Sequence, residues 1–250
     1  MEENSVKERL AELADRSYKE NRYTFTDFFS MAELSEFYEE RNKLMFATPK
    51  VYGGCENAER AMIRFGNPEA LGYEEDFPIV ALEITPLSEK FADDFTHRDF
   101  LGAIMNLGIK RNVIGDIYVK EKKAVVFCRD NMAEYISDNL TRVKRTVVSV
   151  KTVSEIPELN NPKKAEKVIQ VASERIDAVV SRTYNLSRNG SVELFMAGNV
   201  YLNGRQCTEN AVNLKAGDVV SVRGYGKFIF EGSSGLSKKG KINCRISLYV

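Results

Sequence analysis

Apolar positions near the start of the chain recur at helical spacing. Val6, Leu10 and Leu13 stand among Glu, Lys and Arg, which leaves one apolar face and a wet remainder and predicts an amphipathic helix. Ser30, followed three residues later by Glu33, forms a capping-box pair, in which each side chain satisfies a backbone N–H of the other. It announces a second helix whose buried stripe is Leu34, Phe37, Tyr38 and Met45. Pro49 and the Gly53-Gly54 pair then break the pattern. The expectation for residues 1–76 is a small helical domain.

Beyond residue 76 the rhythm changes. Ile79–Thr85 (IVALEIT) is a β-branched and aliphatic run of strand length. Thr96–Leu107 carries Phe100, Leu101, Ile104 and Leu107 on one side and stops at Gly108, as a helix does. Val113–Lys120 and Lys123–Cys128 read as two strands joined tightly at Glu121-Lys122. Met132, Ile136 and Leu140 mark another helix, and Arg145–Val153 a last strand. Strand–helix–strand–strand–helix–strand over 77–157 is the order of the ferredoxin-like sandwich, which RNA-recognition motifs share. Those motifs stack bases on aromatics of the two central strands. Here Phe127 lies on the third strand and the first has no aromatic, so any RNA contact of this module does without the usual platform. A purely structural or protein-docking sandwich fits the same residues.

A linker with two prolines spans 154–165 (SEIPELNNPKKA) and separates off a third module, 166–250. Glu166–Ala172 favours a strand. Ser173 is placed as the cap of a helix carrying Ile176, Val179 and Val180, and a short helix follows Ser187. Asn203-Gly204, inside VYLNGRQ, predicts a type I′ hairpin turn. Phe228 and Phe230, then Ile242, Cys244, Ile246, Leu248 and Val250, alternate as strands do. The expected class is therefore α+β: an N-terminal helical domain, a ferredoxin-like βαββαβ middle domain and a C-terminal α+β domain with a terminal hairpin.

Composition narrows the chemistry. With 43% hydrophobic and 29% charged residues the chain reads as globular, and no apolar run reaches the length of a membrane span. The charged N-terminus lacks a secretory segment, so the expected address is cytoplasmic. Cys55, Cys128, Cys207 and Cys244 are far apart in sequence and form no CxxC pair, so each is expected as a small buried hydrophobe. His97 is the sole histidine and opens a helix, which leaves metal sites and histidine triads weakly supported; neither a catalytic residue, a metal nor a cofactor is expected. The 36 basic and 36 acidic residues cancel overall but are unevenly spread. Residues 1–76 hold 10 basic against 17 acidic, and residues 158–250 hold 14 against 8, so the third module is the one suited to an anionic partner.

Four stretches of that module carry a resemblance. Arg175-Ile176-Asp177, Leu186-Ser187-Arg188, Gly198 through Arg205, and Gly217-Asp218-Val219-Val220 together resemble the S-four-type RNA-binding domain. Ser187 and Arg188 at a helix start can aim a hydroxyl, backbone N–H groups and a guanidinium at one phosphate. The Asn203-Gly204 turn lets backbone approach RNA and presents Arg205 beside it. Arg175 and Arg182 are two turns apart and suited to one face. Asp177 reads as a local salt bridge or cap, and Gly198, Gly217 and Asp218 as turn residues. Asn189-Gly190 departs from the small residue and lysine that commonly follow Ser-Arg in that domain, which removes a phosphate-binding charge.

Further stretches widen the likeness. Tyr52-Gly53-Gly54-Cys55-Glu56-Asn57-Ala58-Glu59-Arg60, His97 through Gly102, Leu107 through Arg111, and Ile114 through Ile117, together with the C-terminal module, resemble the bacterial YlmH family. The resemblance implies a cytoplasmic, non-catalytic RNA-binding protein. It would associate with ribosomal RNA of the large subunit and with tRNA, holding stalled peptidyl-tRNA in ribosome-associated quality control, with ribosomal proteins as further partners. The RNA contacts it points to are Arg175, Arg182, Ser187, Arg188, Asn203, Gly204, Arg205, Arg223 and Lys227, with Lys238, Lys239 and Lys241 as a clamp. His97, Arg98, Lys110 and Arg111 bracket the first helix of the middle domain as a second contact to RNA or ribosome.

Two other classes stay open on the residues alone. An RNA-modifying enzyme is one, since this RNA-binding module is often fused to such enzymes. The close glycine pairs Gly53-Gly54, Gly224-x-Gly226 and Gly232 with Gly235 do not open a βαβ unit, however, as a cofactor-cradling loop would. A protein-docking scaffold linked to cell division, working through the acidic N-terminal segment, is the other.

Overall fold

A computed structural model describes residues 5–56, 58–154, 156, 164–237 and 239–249. The chain divides into two compact units, one of residues 1–33 with 39–160, the other of residues 34–38 with 161–250.

In the first unit, α1 (Val6–Glu20) opens on a Ser5–Glu8 capping box and closes at Asn21 in the left-handed conformation. Helix α2 (Met31–Glu40), whose residues 34–38 belong to the second unit, begins with the expected box: the Ser30 N–H donates to Glu33 Oε2 at 2.7 Å, and the Glu33 N–H donates back to Ser30 Oγ. The segment is not purely helical. Strands β1 (Thr24–Phe25), β2 (Lys50–Tyr52) and β3 (Met62–Phe65) form a small antiparallel sheet in the order β1-β3-β2, followed by one helical turn, α3 (Pro68–Leu71). Strands this short leave no alternation to read, and all four residues of β3 are buried. One of them is Arg64, which lies against the rings of Tyr23 and Phe77 and binds Glu74 Oε1 at 2.9 Å. Met45, expected in the apolar stripe, is half exposed, because Arg41–Ala47 winds as a 3₁₀ helix and rotates it out of register.

The same unit contains β4 (Ile79–Pro86), α4 (His97–Met105), β5 (Ile114–Lys120), β6 (Lys123–Arg129), α5 (Asp130–Asn139), β7 (Arg142–Val143) and β8 (Thr146–Val153). The sheet runs β5-β6-β4-β8-β7, all antiparallel. This is the ferredoxin-like order with β7 added at the edge. Its two faces follow from period-2 alternation. Leu82, Ile84, Val126 and Cys128 face α4 and α5 and meet Phe100, Ile104, Ile136 and Leu140. Ala81 and Phe127 point the other way and are buried with Phe28, Cys55 and Met62 of the N-terminal segment. The segments expected on either side of residue 76 thus share a core. Asp27 adds polar ties to the same contact, accepting from Asn112 Nδ2 at 2.9 Å and pairing with Arg129 at 2.6 Å.

The second unit is a six-stranded antiparallel sheet with two helices on one face. Its elements are β9 (Lys164–Val171), α6 (Ile176–Thr183), α7 (Arg188–Met196), β10 (Val200–Leu202), β11 (Arg205–Gln206), β12 (Asp218–Val222), β13 (Gly226–Leu236) and β14 (Ile242–Tyr249), in sheet order β11-β10-β12-β13-β14-β9. Ile176, Val179, Val180 and Phe195 from the helices pack on Ile169, Val220, Phe228, Phe230, Cys244 and Ile246. The hairpin at Asn203-Gly204 has φ of 52° and 79°, as a type I′ turn requires. Helix α6 starts two residues later than expected: Arg175, not Ser173, holds the cap position, where its backbone bridges to Asn213. Of the expected linker, residues 155 and 157–163 lie outside the described residues.

Candidate nucleic-acid interface

In the second unit, Ser187 caps α7, its Oγ accepting the Gly190 N–H at 3.0 Å. Arg188 is the first residue of that helix and is exposed, as is Arg182 in the last turn of α6. The two helices are tied together where Ser191 Oγ donates to the Asp177 carbonyl at 2.9 Å. Ser187, Arg188 and Arg182 therefore stand at the ends of elements anchored in the core.

Arg175 is differently placed. Its Nε and Nη2 donate to the two oxygens of Asp177 at 3.1 and 2.7 Å, which raises its pKa and fixes the fork. Asn203 is also engaged internally: its Nδ2 donates to Asp218 Oδ1 at 2.8 Å and its Oδ1 accepts the Val219 N–H at 2.9 Å. A Cβ on Gly204 would meet the Tyr38 ring at 3.0 Å, and Arg205 Nη2 reaches the Tyr38 carbonyl at 3.4 Å. Residues 35–38 lie where the turn backbone was expected to meet RNA.

Arg223 is exposed in the β12–β13 turn. Beside it Tyr225 is 48% exposed, its ring 5.6 Å from that of Tyr184. Lys227 and Lys164 both lie over the Tyr249 ring, at 5.7 and 5.2 Å. Lys239 and Lys241 are exposed, and Lys238 is outside the described residues. The tyrosines were missed in the sequence. The signal was an aromatic between two glycines, Gly224-Tyr225-Gly226, where a turn presents a ring to solvent.

In the first unit, Arg98 and Lys110 are exposed. Arg111 is turned inward, with Nη1 donating to the carbonyls of Ile114 at 2.6 Å and Gly115 at 3.1 Å; burial brings its pKa down to about 10. Desolvation, then Arg111, hold the His97 imidazole below its ordinary value, so it is neutral at pH 7. Cys55, Glu59 and Arg60 dock on β5. Asp116 accepts the N–H groups of Glu59 at 2.7 Å and Arg60 at 3.2 Å, and the Arg60 guanidinium donates to the carbonyls of Ile114, Phe28 and Arg111. That motif builds the core between the N-terminal segment and the sheet.

Residues 73–156 match a family model described as "Putative RNA-binding domain in YlmH". Over 196 residues the chain is 31% identical to the ribosome-associated protein quality control protein P2 of Bacillus subtilis, covering 76% of this chain and 73% of that protein. The chain belongs to the YlmH family. It is also similar to a solved structure of the cell division protein ylmH from Streptococcus pneumoniae, at 21% identity and a TM-score of 0.45, covering 62% of this chain and 92% of that one.

In this YlmH-family chain, no group of three or more His, Cys, Asp or Glu among the described residues is arranged to hold a metal ion. The four cysteines are buried thiols. No helix among the described residues is long and apolar enough to cross a membrane.

The start of α4 carries a pH signature. Asp99 Oδ2 accepts from the Thr96 N–H and Oγ1, both at 2.7 Å, and from Lys144 Nζ at 3.0 Å; these bonds, the backbone one foremost, lower its pKa to about 2. A carboxylate depressed on folding stabilises the fold above its unfolded pKa, and that contribution is lost as pH falls through the folded value. The cap should therefore hold at pH 4 and open on approach to pH 2. A carboxyl NMR titration of Asp99 with a midpoint near 2, rising in Lys144→Ala, is the expected result; a midpoint near 4 would remove the assignment.

Proposed function

We propose that this chain is a non-catalytic, cytoplasmic RNA-binding factor of the ribosome. It associates with large-subunit RNA and tRNA during quality control of stalled peptidyl-tRNA. What supports this reading is membership of the YlmH family together with one geometric fact: Ser187 and the exposed Arg188 at the core-anchored start of α7. A helix start offers open N–H groups and the positive end of the dipole, and a guanidinium adds a bidentate donor for a phosphate. Arg182, Arg223, Lys227, Lys239 and Lys241 extend the basic surface, while Arg175 positions Asp177 and the Asn203-Gly204 turn shapes the hairpin. Tyr225 offers a ring for an unstacked base.

The test is sedimentation of a tagged full-length chain through sucrose at low and high salt, with sequencing of the crosslinked RNA. Co-migration with the large subunit, lost at high salt, and crosslinks to ribosomal RNA and tRNA are expected. Arg188→Ala should lower RNA affinity about tenfold at low salt, by the loss of one charge-assisted phosphate contact, with melting unchanged. A protein that stays at the top of the gradient without enriched RNA, and whose partners survive nuclease, would overturn the proposal in favour of protein docking.

A further inference from the structure

The ferredoxin-like sheet of the first unit has no open stacking face. Where RNA-recognition motifs expose the central strands, this chain buries Ala81 and Phe127 under Phe28, Cys55 and Met62, and Gly54 packs directly on the Phe127 ring. An RNA contact through this module must use another surface.

An open groove of about 490 Å³ lies on the helix side, between α4 and the α5–β7 connection. Arg98 and Asn106 line one wall, and Asn139, Thr141 and Arg142 the other, with Asp99 and Lys144 alongside. Asp99 is the carboxylate of the lining, and it is already bonded to Thr96 and to Lys144. Lys144 also donates to the Asp94 carbonyl at 2.9 Å. Arg98 and Arg142 are exposed, and their guanidiniums have no hydrogen-bond or ion-pair partner among the described residues. Two open guanidiniums thus stand in one groove beside the Asn106 amide, the Thr141 hydroxyl and the Oδ1 acceptor of Asn139, whose Nδ2 donates to the Tyr135 carbonyl at 2.8 Å, a set suited to consecutive phosphates and a ribose.

We infer that this groove is a second RNA-binding site, in which Arg98 and Arg142 take phosphates of the RNA backbone while Asn106, Asn139 and Thr141 meet the sugar. It deepens, and rests on, the RNA-binding reading above. The contact is to backbone and not to base edges, so it is indifferent to sequence. An acidic peptide is the competing anion. Backbone phosphates suit the site better, because the planar guanidinium fork matches phosphate oxygens, while Ala103, Leu107 and Leu140 of the lining offer an apolar floor on which a ribose can rest.

The experiment uses the full chain and two fluorescent probes, an A-form RNA hairpin and a single-stranded RNA of the same length, titrated by anisotropy across a salt series. The variants are Arg98→Ala/Arg142→Ala and Arg188→Ala, each checked by thermal melting. The groove variant should weaken binding of at least one RNA about tenfold or more. It should also flatten the slope of log K against log salt by about 1.4 to 1.8, as expected for two lost phosphate contacts. Ultraviolet crosslinking of the parent to the RNA should mark peptides from α4 and the α5–β7 connection. If the groove variant binds both RNAs as the parent does while Arg188→Ala weakens binding, the groove inference falls and the RNA-binding reading stands. If the parent binds neither RNA, both fall. A poly-glutamate peptide that binds the parent and is lost in the groove variant, with RNA binding unchanged, assigns the groove to protein and overturns the inference.

Discussion

Gly54→Ala should destabilise the first unit by about 3 kcal/mol or more, and the loss should reach the whole unit. A Cβ at this position would lie 2.2 Å from Cδ1 of Phe127, a ring that is itself buried, and φ is +100°, where an L side chain is strained. Neither element can yield cheaply: Gly54 follows β2 in the N-terminal segment, and Phe127 sits in a central strand of the sheet. Gly72 separates the two causes. It too has positive φ, +79°, but nothing lies within 4 Å of its added Cβ, so Gly72→Ala should cost only about 1 kcal/mol. Urea unfolding followed by far-ultraviolet circular dichroism measures both variants. Native-state hydrogen exchange should show β3, β4 and β6 losing protection together in Gly54→Ala. A Gly54→Ala protein no less stable than Gly72→Ala would mean that the ring contact is not close. Loss of protection confined to 1–76 would mean that two domains fold there independently.

Arg60→Ala is expected to cost about 2–4 kcal/mol in the same unit. The guanidinium donates to the carbonyls of Ile114 and Phe28 at 3.0 Å and of Arg111 at 3.2 Å. Truncation leaves these acceptors without that donor, and it removes a positive charge from beside the partly desolvated Asp116, whose pKa burial raises. Arg60→Lys should recover less than half of the loss, because an ammonium cannot reach three carbonyls in the plane of a guanidinium fork. Asp116 adds a signed pH effect. A carboxyl whose pKa is raised on folding favours the fold at low pH, and that contribution is lost as pH rises through the folded value. The Arg60→Ala protein, lacking its nearby cation, should lose stability more steeply than the parent from pH 4 upward. Unfolding curves at pH 4 and 7 check this, and equal losses at both would show that the charge of Arg60 does not matter to Asp116. RNA affinity per folded molecule should not change, since Arg60 points into the core.

Much of the fold was legible in the pattern of residues. Capping at Ser30-Glu33, the alternation through IVALEIT and the Asn203-Gly204 turn are local devices, in which the chemistry that forms the element lies within a few residues of it. They suffice for α2, β4 and the hairpin, and taken in order they recover the ferredoxin-like topology. Asp177 as the local partner of a neighbouring cation was equally readable, because that ion pair closes over two residues. Strands β1, β2 and β3 were not, since two to four residues carry no period, and Arg64 within a wholly buried strand reads as a break until Tyr23, Phe77 and Glu74 surround it.

For the candidate sites the division is sharper. Residue types and order along the chain determined that the third module is basic, that Ser187 and Arg188 open a helix, and which family the chain resembles. Tertiary structure alone decided which cations remain available. Arg111 looks like Arg98 in sequence, yet its guanidinium is bonded to backbone carbonyls while that of Arg98 stands exposed. A guanidinium's role depends on which acceptors the folded backbone brings within about 3 Å of it, here the Ile114 and Gly115 carbonyls for Arg111, three and four residues along the chain. The closing of the sheet face has the same origin. Phe127 alternates like a platform residue, and only Phe28, Gly54 and Met62, arriving from the N-terminal segment, turn it into core.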